Sequence, residues 1–280
     1  MSSRPAAMHP VALPLDDSPI PARDDPSGVV YDASANVLFV ADGYSGAIVR
    51  IAGERQQRIA TIPAAGIVTG NRVGGLVVTR HGTLYAVRVG HGRAGAIVRV
   101  RPDGEMAALE KLPSRFWRYG IAYDADEHAI YTTQFMSGKR GAFDGSIVVV
   151  DLASGVPSTV LDGFLKPMGI AKVGASLVIA DARQRAVFRV DLVSGRAVFR
   201  IQLAGDIDAP DSVCACGDDS VLVTTYDEET RLGAVRRLWL DGRRSALIAR
   251  GPWEPRGITT DGERAFVAAH RAGRVLVFVL

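Results

Sequence analysis

The sequence predicts an all-β protein: a six-bladed β-propeller of four-stranded antiparallel blades, occupying residues 1–280 as one domain. Three observations carry this. Six segments repeat one pattern, in which a Gly or Ser opens a short apolar strand, followed by a polar turn, a second strand, a loop and a third strand. The copies begin near residues 27, 74, 119, 168, 211 and 256, at the roughly 40–50-residue period of propeller blades. No segment sustains the 3.6-residue apolar period of a long helix.

The elements follow in order. The first strands are Val29–Tyr31, Leu76–Val78, Ile121–Tyr123, Ile170–Ala171, Val213–Ala215 and Ile258–Thr260. The second strands, Leu38–Ala41, Leu84–Val87, Ile130–Thr133, Leu177–Ala180, Leu222–Thr225 and Phe266–Ala269, are rich in β-branched, aliphatic and aromatic residues, as strands require. Third strands follow Gly-bearing loops, as at Ala47–Ile51 and Ala96–Val100. Fourth strands are expected at Gln57–Ile62, Met106–Leu112, Ser158–Leu161, Ala197–Gln202 and Ser245–Ala249.

The sixth copy stops after its third strand, Val275–Leu280. A blade lacking its outer strand leaves an open edge. The apolar segment His9–Leu15 precedes the first copy and is expected to supply that strand and close the ring. Pro10 and Pro14 suit an outermost strand, one side of which needs no partner.

Composition excludes several classes. The net charge of +3 with 7% aromatics is too weak a basic signature for nucleic-acid binding, and no basic–aromatic alternation suggests stacking on bases. No apolar run reaches membrane-spanning length, and the first residues lack the apolar core of a secretory signal, so a cytoplasmic protein is expected. The two cysteines, Cys214 and Cys216, sit at i and i+2, a poor geometry for a disulfide, and read as reduced core residues.

The strand-opening Pro-x-Gly and the second-half pattern seen in Leu38-Phe39-Val40-Ala41-Asp42 make the repeats resemble six-bladed propellers of the gluconolactonase and senescence-marker-protein superfamily and their NHL-repeat relatives, over almost the whole chain. That resemblance implies a lactonase-like hydrolase with a divalent cation held at the channel mouth by a Glu, an Asn and an Asp. Carried over by position, the Glu falls at Ser27, with Asp25 two residues earlier. The Asn falls at Met168, or at Tyr119 if blades are counted differently. The Asp of the Pro-Asp-Gly motif is kept as Asp211 in Pro210-Asp211-Ser212. Thioether sulfur is a poor ligand for a hard cation, so no metal and no cofactor are expected. Arg72, in Asn71-Arg72-Val73, corresponds to a substrate arginine of the family.

In a propeller, the loops before the first strand and between the second and third strands open on one face. Aligning the copies gives an inner ring there of Ser27, Gly74, Tyr119, Met168, Asp211 and Arg256, and a second ring of Asp42, Arg88, Gln134, Asp181, Tyr226 and Ala269–His270. These differ from copy to copy where a purely structural repeat would keep one residue type. Asp42 and Asp181 each end a second strand and are expected to bond loop backbone. Arginines on this face (Arg72, Arg88, Arg118 and Arg256) offer planar donor forks for carboxylate, phosphate or carbonyl oxygens. His91 and His270 are the histidines on this face and candidate general bases.

Other motifs are rejected. Gly90-His91-Gly92-Arg93-Ala94-Gly95 fits GxGxxG, but a strand follows it, so no helix N-terminus faces a pyrophosphate. No nucleophile elbow, Walker motif, HExxH or EF-hand loop occurs.

The resulting expectation is a cofactor-free enzyme of secondary metabolism acting at the channel mouth on an anionic or carbonyl-rich small molecule, with neither nucleic acid nor membrane as partner. It is lactonase- or hydrolase-like by resemblance, or an oxidase, lyase or cyclase. Asp211, Arg256 and His270 are the expected catalytic groups. Arg72, Arg88, Arg118, Tyr119, Met168, Tyr226 and His91 are expected to bind substrate. Two readings of Asp211 and Arg256 stand: a salt bridge, or a base beside an anion-stabilising cation. The rival class is a non-catalytic NHL-type scaffold, which a flat face would mark; a concave, partly apolar mouth marks an enzyme.

Overall fold

The structure, a computed structural model, describes residues 11–14, 25–65, 73–90, 94–138, 142–270 and 272–280. The first strand is β1 (Val11–Pro14). Blade 1 is β2 (Pro26–Asp32), β3 (Val37–Asp42), β4 (Ala47–Ala52) and β5 (Arg55–Thr61). Blade 2 is β6 (Val73–Val78), β7 (Leu84–Arg88), β8 (Ala96–Val100) and β9 (Met106–Ala108). Blade 3 is β10 (Trp117–Asp124), β11 (Ala129–Ser137), β12 (Phe143–Asp151) and β13 (Pro157–Phe164). Blade 4 is β14 (Pro167–Val173), β15 (Ser176–Asp181), β16 (Ala186–Val193) and β17 (Arg196–Ala204). Blade 5 is β18 (Pro210–Ala215), β19 (Ser220–Asp227), β20 (Leu232–Trp239) and β21 (Ser245–Gly251). Blade 6 is β22 (Glu254–Thr260), β23 (Arg264–His270) and β24 (Arg274–Val279), completed by β1.

Each blade is a four-stranded antiparallel sheet. Its first strand is innermost, and these six strands touch in a closed cycle: β2, β6, β10, β14, β18, β22 and back to β2. The ring closes as the strand count requires. Val11 pairs with Val277, Leu13 with Val275 and Pro14 with Arg274, so β1 is the rim strand of blade 6. His9, Pro10 and Leu15 lie outside the described residues.

Burial explains the strand compositions. A second strand is packed between both neighbouring blades, so β3 (VLFVAD) is buried at every position and reads as a continuous apolar run. The outer strand β5 (RQQRIAT) faces solvent at its first four residues. The cores lie between blades, as where Phe39 and Ile48 of blade 1 meet Leu84 and Val98 of blade 2. One expected strand is shorter than its sequence suggests. β9 ends at Ala108, not Leu112, because Leu112 folds back on the Leu109 carbonyl in a turn.

Candidate functional site at the channel mouth

A β-bulge builds the mouth. In every inner strand the pairing register slips at the same place: Pro26/Gly28, Val73/Leu76, Arg118/Ile121, Pro167/Ile170, Pro210/Val213 and Pro255/Ile258. The residues skipped by the ladder are Ser27, Gly74–Gly75, Tyr119–Gly120, Met168–Gly169, Asp211–Ser212 and Arg256–Gly257. A bulge turns a side chain away from the regular pleat. All six inner-ring positions expected from sequence line one cavity.

The ring after it is glycine for a packing reason. A Cβ on Gly28 would lie 2.0 Å from the Gly74 carbonyl oxygen, and one on Gly120 would lie 2.3 Å from that of Met168. Neighbouring backbones approach too closely for a side chain. Threonines hold the polar groups that the bulges release. Gly120 N–H donates to Thr133 Oγ1 at 2.8 Å, and Thr133 Oγ1 donates to the Met168 carbonyl at 2.7 Å. Blade 5 carries Ser212 instead, its N–H bonded to Thr224 Oγ1 at 2.9 Å. Below this tier Val29, Leu76, Ile121, Ile170, Val213 and Ile258, one from each blade, form an aliphatic floor.

The cavity has a volume of about 420 Å³, within the usual range for a small-molecule site, and its mouth is concave rather than flat. Its wall is divided. Blades 5, 6 and 1 contribute Asp211, Arg256, His270, Asp25 and Ser27; blades 2, 3 and 4 contribute Gly74, Val89, Tyr119 and Met168. Tyr119 stacks on Phe135 with ring centroids 5.7 Å apart, and Phe135 is boxed edge-on by Trp117 and Phe143. Tyr44, 56% exposed, stands on the rim.

Arg256 organises the polar wall. Its Nη1 donates to Asp211 Oδ2 at 2.8 Å, and its Nη2 donates to Glu254 Oε1. Burial works against the guanidinium charge, but Asp211 and Glu254 outweigh it and hold Arg256 above its ordinary value. Burial pushes the Asp211 carboxyl up, against the pull of Arg256 and Lys166. Beside this cluster His270 Nδ1 contacts Asp25 Oδ1. The Ser27 hydroxyl is committed to the Ala41 and Val73 carbonyls.

The other expected residues are placed differently. Arg88 ties loops together, from Nε to the Ala94 carbonyl at 2.9 Å and from Nη1 to that of Pro63 at 3.3 Å, and is not among the lining residues. Arg118 is fully buried between blades 2 and 3, donating from Nη2 to Gln134 Oε1 at 3.1 Å. Burial, with Arg115 nearby, lowers its pKa to about 10. The bulge explains this: Arg118 precedes the slip in β10 and still pairs with Gln134, whereas Tyr119 is the residue that turns inward. Tyr226 pairs with Gly233 in blade 5 and also lies off the lining. Arg72 and His91 lie outside the described residues.

Asp42 and Asp181 bond loop backbone, as expected. Asp42 accepts from the N–H groups of Asp25, Tyr44 and Ser45, and Asp181 from those of Leu165, Lys166, Arg183 and Gln184. Cys214 and Cys216 are free thiols, and burial pushes the Cys214 thiol far up. Sequence reasoning did not assign roles to Asp25 and Glu254. Their signal was acidic residues immediately before inner-strand prolines, Asp25-Pro26 and Glu254-Pro255.

The donor set does not fit the divalent cation that the sequence resemblance implies. Asp211 Oδ2 accepts from the Arg256 guanidinium, and a thioether stands at Met168. Among the described residues no group of three or more His, Cys, Asp or Glu side chains has metal-holding geometry.

No protein-family model and no curated protein sequence matches the chain. Solved structures match along nearly its whole length. A gluconolactonase from Xanthomonas campestris is 13% identical with a TM-score of 0.72, covering 92% of this chain and 86% of that one. A calcium-binding protein, regucalcin, from Agrobacterium tumefaciens strain C58 is 16% identical with a TM-score of 0.69, covering 96% and 93%. Virginiamycin B lyase from Staphylococcus aureus, as a catalytically inactive variant with quinupristin, is 15% identical with a TM-score of 0.62, covering 97% and 99%. The likeness is one of fold: the chain is a six-bladed propeller of the gluconolactonase and regucalcin shape.

Proposed function

We propose that this protein is a hydrolase-like enzyme acting on a neutral, carbonyl-bearing small molecule with an apolar or aromatic flank, such as an ester or lactone. The division of the cavity wall carries this reading. Tyr119 and Met168 suit an apolar flank, and Arg256 and His270 stand on the opposite side. Likeness in fold to a gluconolactonase supports the class.

Arg256 favours a neutral carbonyl over a full anion. Two carboxylates already neutralise it, so a third negative charge meets repulsion. A guanidinium has five N–H donors, and among the described residues Arg256 donates two of them to carboxylates; a carbonyl oxygen that turns negative only in the transition state would meet the others. Preorganised donors act most strongly on such developing charge. In this scheme His270 takes a proton from water as the water oxygen bonds to the carbonyl carbon. Arg256 holds the resulting oxyanion. Collapse breaks the bond to the leaving oxygen, which receives the proton from His270. Asp211 and Glu254 keep Arg256 charged and aimed.

The test is acid release, followed by pH-stat, from a panel of esters and lactones with alkyl or aromatic flanks. Turnover above the blank, falling with Arg256→Met, is the expected result. A panel with no turnover, or full activity in Arg256→Met, would overturn the proposal.

A further inference from the structure

We infer that Asp25 is a positioning residue for His270: its carboxylate accepts a hydrogen bond from the imidazole Nδ1–H, so that Nε2 presents its lone pair to the cavity. This deepens the reading of His270 as the base and rests on it.

Asp25 Oδ1, a buried oxygen with no hydrogen-bond donor among the described residues, lies against His270 Nδ1, and both residues line the cavity. Hydrogen bonding at one ring nitrogen decides which tautomer is present, and an acceptor on Nδ1 leaves Nε2 free to accept a proton. His270 is the only histidine among the described lining residues.

The backbone that carries the carboxylate is held from outside the pair. The Asp25 N–H donates to Asp42 Oδ2 at 2.6 Å, and its carbonyl accepts from Gly43 N–H at 2.7 Å. Asp42 is itself fixed by the N–H of Tyr44 at 3.0 Å and of Ser45 at 2.5 Å. The turn between β3 and β4 therefore clamps Asp25 at both ends of its peptide frame. His270 is the last residue of β23 and pairs with Glu254 in the ladder. The dyad is assembled across the seam where blade 6 meets blade 1.

A simple clasp between these blades does not explain the arrangement. The seam is already closed by contact of β2 with β22 and by Gly257, where a Cβ would lie 2.7 Å from the Ser27 carbonyl oxygen. An ion pair serving only as a clasp gains nothing from lining the cavity beside Arg256.

Nitrogen-15 NMR of the His270 ring, recorded on the full chain above the imidazole titration range, tests the inference without any substrate. The expected wild-type spectrum shows Nδ1 protonated and Nε2 bare. In Asp25→Asn the population moves toward the Nε2–H form, and Asp25→Glu restores the wild-type pattern. With an ester or lactone that is turned over, Asp25→Asn lowers kcat by roughly a hundredfold or more with little change in KM, the pattern of a lost base orientation. A wild-type ring protonated at Nε2 would overturn the inference, as would a tautomer unchanged in Asp25→Asn. If Asp25→Asn does not fold, the wild-type spectrum alone decides. An Nδ1–H spectrum without hydrolysis of any panel member sinks the proposed function and leaves the dyad standing. Hydrolysis with an Nε2–H ring does the reverse.

Discussion

Arg256 reaches across the seam between blades 6 and 5 to donate to Asp211 Oδ2 at 2.8 Å. The bond sets the chemistry of the mouth. It fixes a permanent positive charge beside the carboxylate to which the superfamily resemblance assigns a divalent cation. Glu254 bonds the other terminal nitrogen, so the cation is flanked by two acids.

Removing Arg256 should therefore cost catalysis. Arg256→Met is expected to lower kcat by roughly a hundredfold or more, the size found for losing one oxyanion donor. Asp211→Asn leaves Glu254 to hold Arg256 and should cost less, roughly tenfold. Steady-state kinetics on the best panel substrate measures both. Equal, near-wild-type values would place the reaction elsewhere.

With the Arg256 guanidinium bonded to Asp211, metal removal should change little. After exhaustive dialysis against EDTA, turnover is expected to stay within about twofold of the untreated protein, a difference worth under 1 kcal/mol. Elemental analysis is expected to find calcium, zinc and manganese well below one per chain. Loss of activity restored by one of these ions would contradict the arrangement.

The glycine tier makes a structural prediction. A Cβ at Gly120 falls 2.3 Å from the Met168 carbonyl oxygen, which is backbone and cannot swing aside. Gly120→Ala should destabilise the fold by about 1–3 kcal/mol, as overpacking does. Blade 5 already carries a side chain at this tier, so Ser212→Ala should cost no more than about 1 kcal/mol for its hydroxyl. Denaturant midpoints would settle the comparison, and equal effects of the two substitutions would contradict it.

Blades 3 and 4 are tied by Lys172 Nζ to Asp124 Oδ2 at 3.0 Å, with Asp124 buried. Burial pushes the Asp124 carboxyl up, but Lys172 and the N–H groups of Glu127 and Asp126 outweigh it, and the pKa lies below the ordinary 3.8. A depressed carboxylate contributes stability that is fully present above the unfolded value and lost as pH falls through the folded one. Asp124→Asn should thus lose about 1.5–3 kcal/mol at pH 7, the worth of a hydrogen bond to a charged group. The gap to wild type should close below pH 3.8. A gap independent of pH would show that the charge is not what stabilises the seam.

How far the sequence reads is clear from particular residues. The repeat showed six inner strands and placed Ser27, Tyr119, Met168, Asp211 and Arg256 on one ring, because a bulge at a fixed offset from the glycine recurs in every blade. The second ring was less legible. Arg88 and Gln134 pair with the residue just before the bulge, as Ala269 does, whereas His270 pairs one residue further out, and Val89 and His270 at that further position line the cavity. One residue along a strand reverses the face that a side chain takes, so the alignment of the copies put Arg88 and Gln134 one step short of the lining position. Arg118 was assigned to the mouth because it adjoins Tyr119, but one residue across a bulge is the difference between a blade interface and the channel. The Asp25–His270 contact joins residues at opposite ends of the chain, and no local pattern carries such a pairing.

The most direct test is a crystal structure of the protein soaked with a lactam or amide isostere of the best panel substrate. The expected density places the carbonyl oxygen within hydrogen-bond distance of Arg256, the carbonyl carbon facing His270 Nε2 and the apolar flank against Tyr119 and Met168. An isostere bound outside the channel mouth, or with its carbonyl turned toward Tyr119 and away from Arg256, would contradict the assignment of the two walls.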